Sequence, residues 1–296
     1  MKEERKYYCL PKKIILKNQY LIKMVLSVSS LSVVYVAQDL THNQRCIIKE
    51  FYPNKLVLRD LDQQTVLFRL PSLKQQFETA RDAFFNEALI LKKLNHNNIV
   101  KYIDHFIANN TGYIVTQYNK GVTLEQFIQH EQNISIRFFL KNIFIPIIDA
   151  VAELHRKGII HRDLKPNNII INNKNEPVII DFGSAVRFKD ATKKNIFVTP
   201  GFSPLEFYSE TSKQGRFSDI YSLAATLYYY YCGQPPVEVS QRVIEDPLED
   251  ILKYNEFISP ILARTVMKNL SVDSKKRLSS LSFFKMVIYW ETLFAK

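Results

Sequence analysis

The chain changes its hydrophobic rhythm partway along. In the amino-terminal part, β-branched and aromatic residues fall in short runs at Tyr20–Leu26, Val33–Ala37 and Arg45–Glu50, and each run predicts a strand. One segment breaks the rhythm: between Leu73 and Leu94, the residues Phe77, Phe84, Ala88, Leu91 and Leu94 recur at helical spacing and form one apolar stripe, which predicts a helix. Tyr113–Gly121 reads as a strand running into a connecting loop. Further on, Ile169-Ile170-Ile171 and Val178-Ile179-Ile180 flank the polar stretch Asn172-Asn173-Lys174-Asn175, the pattern of a hairpin. The rest of the carboxy-terminal half predicts helices at Ile136–Lys157, Asp219–Cys232, Ile258–Leu270 and Ser280–Phe294. Strands first and helices after give an α+β fold.

The hairpin is flanked by chemistry. His161-Arg162-Asp163-Leu164-Lys165-Pro166-Asn167-Asn168 precedes it, and Asp181-Phe182-Gly183 follows. A hairpin returns Asn168 and Asp181 to the same end, where two oxygen ligands suit Mg²⁺, an ion that takes a few protein oxygens plus substrate phosphates. Asp163 is left to handle a proton. Either tripeptide alone would mean little, since an Asp after an apolar run is usually a turn residue. Six polar identities in order on a strand-turn-strand pattern carry far more weight. The string resembles the catalytic loop and metal-binding segment of the protein kinases. Small-molecule phosphotransferases of the antibiotic-resistance type share the Asp, Asn and later Asp, but do not usually have a Lys two after the first Asp.

The resemblance implies a two-lobed protein-kinase fold, with a β-rich small lobe at about 14–117, a hinge at about 117–121 and a helical large lobe at about 122–296 in one catalytic domain. It implies transfer of the γ-phosphate of ATP to a protein hydroxyl, with Mg²⁺ as cofactor. Asp163 would be the base and Lys165 the cation beside the transferred group, with Asn168 and Asp181 as metal ligands. Lys49 would hold the α- and β-phosphates, positioned by Glu87, which lies nine before His96; Glu78 has the wrong offset. Thr199, seven before Glu206, falls where Ser/Thr-specific members place a Thr against the catalytic Asp and Lys. In Thr199-Pro200-Gly201-Phe202-Ser203-Pro204-Leu205-Glu206, Glu206 would form a buried pair with Arg277, and Asp219 would bond the catalytic-loop backbone. Thr116 falls at the gatekeeper position, Gln117 and Tyr118 offer backbone to the adenine edge, and Val34 and Ile170 are its apolar walls. Arg162 implies control by phosphorylation of the activation segment, at Thr192 among Arg187, Lys189, Lys193 and Lys194, or else a solvated basic stretch.

Two departures from the family pattern concern the nucleotide. The phosphate loop aligns as Ser27-Val28-Ser29-Ser30-Leu31-Ser32-Val33-Val34, with serine at all three glycine positions. If the loop needs positive φ there, each Cβ costs about 1–2 kcal/mol. Ile47 stands where Ala usually roofs the adenine. Neither removes a catalytic group, but they open the alternative of a pseudokinase or binding scaffold, against which the intact Lys49, Glu87, Asp163, Asn168 and Asp181 argue.

Composition narrows the class. A chain of 296 residues, 46% hydrophobic, can bury a sizeable core. The net charge of +11 favours anionic partners, but the lysines are scattered and no nucleic-acid motif appears. The 3 cysteines make neither a metal-ligand spacing nor a disulfide framework, which favours a reducing, cytoplasmic setting. The start lacks the apolar core of a signal peptide, and Leu223–Cys232 is too short to span a bilayer. Lys49-Glu50-Phe51-Tyr52-Pro53, Gly233-Gln234-Pro235-Pro236 and Asp219–Tyr228 resemble the bacterial branch of eukaryotic-like Ser/Thr kinases. By analogy, a kinase domain of this type also resembles effectors that intracellular bacteria secrete into host cells.

Overall fold

A computed structural model describes residues 8–131, 134–188 and 198–294. They divide into two compact units: one runs to Leu94 and takes in Val100–Tyr118, and the other takes Asn95–Ile99 and the chain from Asn119 on.

The first unit is a six-stranded antiparallel sheet with one long helix. Its strands are β1 (Ile15–Leu16), β2 (Tyr20–Val28), β3 (Ser32–Asp39), β4 (Gln44–Phe51), β7 (Tyr102–Ala108) and β8 (Thr111–Gln117), in the order β1-β2-β3-β4-β8-β7. Between β4 and the helix α1 (Lys74–Leu91), a separate hairpin is made by β5 (Val57–Arg59) and β6 (Val66–Phe68). The three strands expected here form, each a little longer than its apolar run. The period-2 alternation decides the faces: Val33, Tyr35 and Ala37 of β3 and Cys46, Ile48 and Glu50 of β4 are buried in the core. Lys49, Ile47 and Val34 therefore lie on the opposite face, where Val34 pairs across from Lys49 and Ile47 from Thr116. Helix α1 buries Phe77, Ala88 and Leu91, while Phe84 is half-buried against Phe51. It ends at Leu91, so Leu94 lies beyond the helix rather than in its stripe.

The second unit is mainly helical. A short sheet of β9 (Gly121–Thr123), β11 (Ile169–Asn172) and β12 (Pro177–Ile179), in the order β12-β11-β9, contains the expected hairpin. The side chain of Asn172 shapes its turn by accepting from the N–H groups of Lys174 and Glu176, at 2.9 and 3.0 Å. A second pair joins β10 (Ile159–Ile160) to β13 (Val186–Arg187). The helices are α2 (Leu124–His130), α3 (Ile136–Phe138), α4 (Ile145–Arg156), α5 (Arg216–Cys232), α6 (Pro260–Asn269) and α7 (Leu281–Phe294). The helix expected over 136–157 is continuous but contains a π turn at Phe139–Phe144 between α3 and α4. Pro146 lies two residues beyond its end, and its missing N–H removes one i→i−4 bond there. Helix α5 is buried along nearly its whole length and stops at Gly233, whose φ of 70° suits a left-handed cap. Among the described residues, no helix is long and apolar enough to cross a membrane.

Candidate active site

In the second unit the loop between β10 and β11 is held from beneath. Asp219, fully buried in the first turn of α5, accepts the N–H groups of His161 and Arg162, both at 3.0 Å, and the Nε2–H of His155 at 2.8 Å. Arg162 has a φ of 71°, a left-handed backbone that a side chain disfavours. The pair of bonds to Asp219 holds it there. Burial lowers the Arg162 pKa, and its guanidinium lies 5.8 Å from the Phe207 ring. Burial also lowers the pKa of His161, with Asp219, Asp163 and Asp181 pulling the other way. The imidazole accepts from the Asp163 N–H at 3.3 Å and stands edge-on to Phe182.

Above this support, four of the expected residues meet. Lys165 Nζ lies 2.9 Å from Asp163 Oδ1 and donates to Thr199 Oγ1 at 2.9 Å. The Thr199 hydroxyl donates to the same Asp163 Oδ1 at 3.0 Å, closing a triangle. Asn168 Nδ2 donates to Asp163 Oδ2 at 2.8 Å and to its backbone carbonyl at 2.9 Å. Both carboxylate oxygens are thus fixed. With its amide nitrogen engaged, Asn168 keeps Oδ1 as the acceptor left for a cation. The Ile180 N–H donates to the Asn168 carbonyl at 3.0 Å, which ties the start of the Asp181 segment to the loop that carries Asp163. The Asp181 carboxylate accepts the Gly183 N–H at 3.1 Å. An amide oxygen and a carboxylate are hard donors that fit Mg²⁺. Ile170, in β11, pairs with Val178 and Thr123.

Thr199 has a support that the sequence did not suggest. Its N–H donates to the buried Ser203 hydroxyl at 2.8 Å. The Ser203 hydroxyl therefore positions the threonine. The expected pair of Glu206 and Arg277 is formed at 2.8 Å between buried side chains, and Ser218 donates to the same carboxylate oxygen. Thr192, Lys189, Lys193 and Lys194 lie outside the described residues.

The first unit carries the other group of candidates. Lys49 Nζ and Glu87 Oε2 are 2.8 Å apart, and Glu87 is buried. Thr116 is buried, Gln117 is exposed at the end of β8, and Tyr118 lies beneath the Arg45 guanidinium at 6.0 Å. Ser27 pairs with Val34 in the sheet, and Ser29 to Ser32 form the turn from β2 to β3. No residue from Ser27 to Ser32 has positive φ, so the steric cost considered for serine in a glycine-type loop does not arise here.

A polar cluster that the sequence motifs did not suggest lies beside Lys49 in β4. The Glu50 carboxylate is fully buried, accepts from the two terminal guanidinium nitrogens of Arg59 at 2.8 Å, and accepts from Tyr35 at 2.7 Å and Tyr113 at 2.9 Å. The signal was present: Glu50 shares the parity of Cys46 and Ile48, so its side chain had to enter the core.

Comparison with known proteins agrees with this geometry. Residues 32–288 match the protein kinase domain family. Serine/threonine-protein kinase PknA of Nostoc sp. is 27% identical over 282 residues, covering 90% of this chain and 46% of PknA. Serine/threonine-protein kinase D of Synechocystis sp. is 31% identical over 217 residues, covering 69% of this chain and 41% of its own. The chain thus spans about half the length of these relatives. The solved structure "PpkA-294 apo form" is 27% identical, with a TM-score of 0.80 over 96% of this chain and 99% of that one. The chain has the protein-kinase fold and belongs to the protein kinase family, with bacterial Ser/Thr kinases among its relatives.

Proposed function

We propose that the chain is a single catalytic domain acting as a Mg·ATP-dependent protein Ser/Thr kinase, in the cytoplasm. The observation that carries the reading is the closed triangle of Asp163, Lys165 and Thr199, with Asn168 on the free carboxylate oxygen. Mg·ATP, when bound, supplies the phosphoryl group and the divalent charge that neutralises it. Asn168 Oδ1 and the Asp181 carboxylate are the oxygen donors for the ion. Lys49, held by Glu87, is the cation for the α- and β-phosphates.

Asp163 takes the proton of the incoming hydroxyl as that oxygen bonds to phosphorus and the bond to the ADP oxygen breaks. Its carboxylate is fixed on both oxygens, so its aim is set before substrate arrives. Lys165 places positive charge beside that carboxylate, where the phosphoryl oxygens become more negative. Thr199 links the two, and with Lys165 it supports Ser or Thr as the acceptor. The Ser/Thr kinase names of the relatives support the same assignment.

Radiolabel transfer from ATP to a generic protein substrate, with thermal stabilisation by Mg·ATP measured alongside, tests the proposal. Transfer should vanish in Asp163→Asn while stabilisation by nucleotide persists. Undiminished transfer in that variant refutes Asp163 as base. Wild-type protein with neither stabilisation nor transfer is a scaffold.

A further inference from the structure

The serine loop is more than a damaged glycine loop. Ser29 Oγ accepts the N–H of Ser32 at 3.0 Å and that of Leu31 at 3.3 Å, and it lies 3.1 Å from Ser32 Oγ. The Ser29 N–H donates to the Ser32 carbonyl at 2.9 Å, closing the hairpin. The tip is tied sideways as well. The Leu31 carbonyl accepts from the Tyr52 N–H at 2.8 Å, and the Ser30 carbonyl from the Asn54 N–H at 3.1 Å. Tyr52 and Asn54 continue from β4, whose Glu50 is locked to Arg59, Tyr35 and Tyr113.

We infer that this phosphate loop is a preformed, self-closed hairpin, with Ser29 as its positioning residue, rather than a flexible flap that orders around the nucleotide. This rests on the kinase reading for its consequence. Three backbone N–H groups are satisfied inside the turn before any ligand arrives. The loop's contribution to nucleotide binding is therefore its fixed shape, and the ordering that a glycine loop undergoes on binding is already done. Serine suits that role because its hydroxyl is the acceptor closing the turn, and no residue there needs the left-handed conformation. The counterintuitive consequence is that restoring the family's glycine at position 29 weakens nucleotide binding.

The test uses wild-type protein, Ser29→Ala and Ser29→Gly, with two readouts. Amide hydrogen exchange without nucleotide should show protection at Ser32, Tyr52 and Asn54 in the wild type, and loss of it in both variants. Calorimetric titration should show ATP with Mg²⁺ binding about tenfold more weakly to both variants, the effect of one net hydrogen bond, while adenosine binds all three proteins alike. Wild-type amides exchanging at the rate of an unstructured peptide overturn the inference, as does Ser29→Gly binding ATP as tightly as the wild type or more so. A protected loop in a wild-type protein that binds no nucleotide refutes the kinase reading instead, and the exchange comparison still decides the state of the loop.

Discussion

Removing the Arg59 guanidinium while keeping its stem isolates a charge pair buried in the first unit. Arg59 is 4% and Glu50 0% exposed at the side chain, and two 2.8 Å bonds join them. Arg59 also donates to the carbonyls of Gln64 and Tyr8, at 2.9 and 2.6 Å, and its guanidinium lies 4.7 Å from the Tyr52 ring. Arg59→Met leaves Glu50 with only the hydroxyls of Tyr35 and Tyr113 as partners within this cluster. A buried charge that loses its partner costs about 3–5 kcal/mol, out of a total stability of about 5–15 kcal/mol for a typical domain. The β5–β6 hairpin, anchored to the sheet through Arg59, should loosen first. Tyr52 lies within this cluster, so the tip of the serine loop should loosen with it. Urea denaturation followed by far-ultraviolet circular dichroism gives the global loss. The single tryptophan, Trp290 in α7, reports the other unit and serves as an internal comparison. Glu50→Gln neutralises the partner while keeping an acceptor for the tyrosines. Combined with Arg59→Met, it should recover about 2 kcal/mol or more relative to the sum of the single losses, because no lone charge remains buried. A cost for Arg59→Met below about 1 kcal/mol, or strict additivity in the cycle, would show that the pair is a weak surface-like contact.

Two further outcomes follow from the second unit. Thr199→Ala opens the Asp163–Lys165–Thr199 triangle and should lower kcat by about ten- to a hundredfold, as loss of fixed geometry near a reacting group does. Thr199→Ser, which keeps the hydroxyl, should restore most of it; equal defects in the two variants would mean that packing of the methyl group, not the hydroxyl, matters. For pH, burial holds the His161 pKa below its ordinary value of 6.5, so the unfolded chain takes up the proton first. The stability from a neutral His161 is present above about 6.5 and declines as pH falls from there toward the folded value. Urea midpoints between pH 8 and 5.5 should fall in wild-type protein and fall less steeply in His161→Phe; identical slopes would assign the acid sensitivity to other groups.

The expected parts of the site were visible in the sequence because each catalytic role needs one residue type at a fixed spacing. Asp163, Lys165 and Asn168 sit within one loop, so local numbering alone placed them together. Glu206 with Arg277 and Lys49 with Glu87 were visible through family offsets, and each is a 2.8 Å pair. What escaped was polar structure whose partners are set by tertiary position. Arg59 lies on a three-residue strand too short to give a periodic signal, yet it neutralises a carboxylate in the core. Nothing local in the string around Ser203 signals that its hydroxyl accepts the Thr199 N–H. The π turn before Pro146 shows the same limit: hydrophobic spacing foretold a continuous helix, but not the widened turn that the proline's missing donor leaves behind.

The serine loop marks where reading residue types without their backbone goes astray. Serine at all three glycine positions carries a cost only in the left-handed conformation that glycine permits. The chain instead folds the segment as an ordinary hairpin, with hydroxyl and carbonyl groups accepting its N–H donors. Lys49 and the Ser30–Leu31 tip are then linked to the same strand, Lys49 as part of β4 and the tip through Tyr52 and Asn54 just beyond it. A loop hydrogen-bonded to the strand that carries Lys49, the lysine proposed for the phosphates, has its position set by that strand, and Glu50, the lysine's neighbour, is fixed in the core by Arg59. Loosening the core at Arg59 should therefore weaken ATP binding in the same direction as removing the Ser29 hydroxyl, although Arg59 itself belongs to a different hairpin.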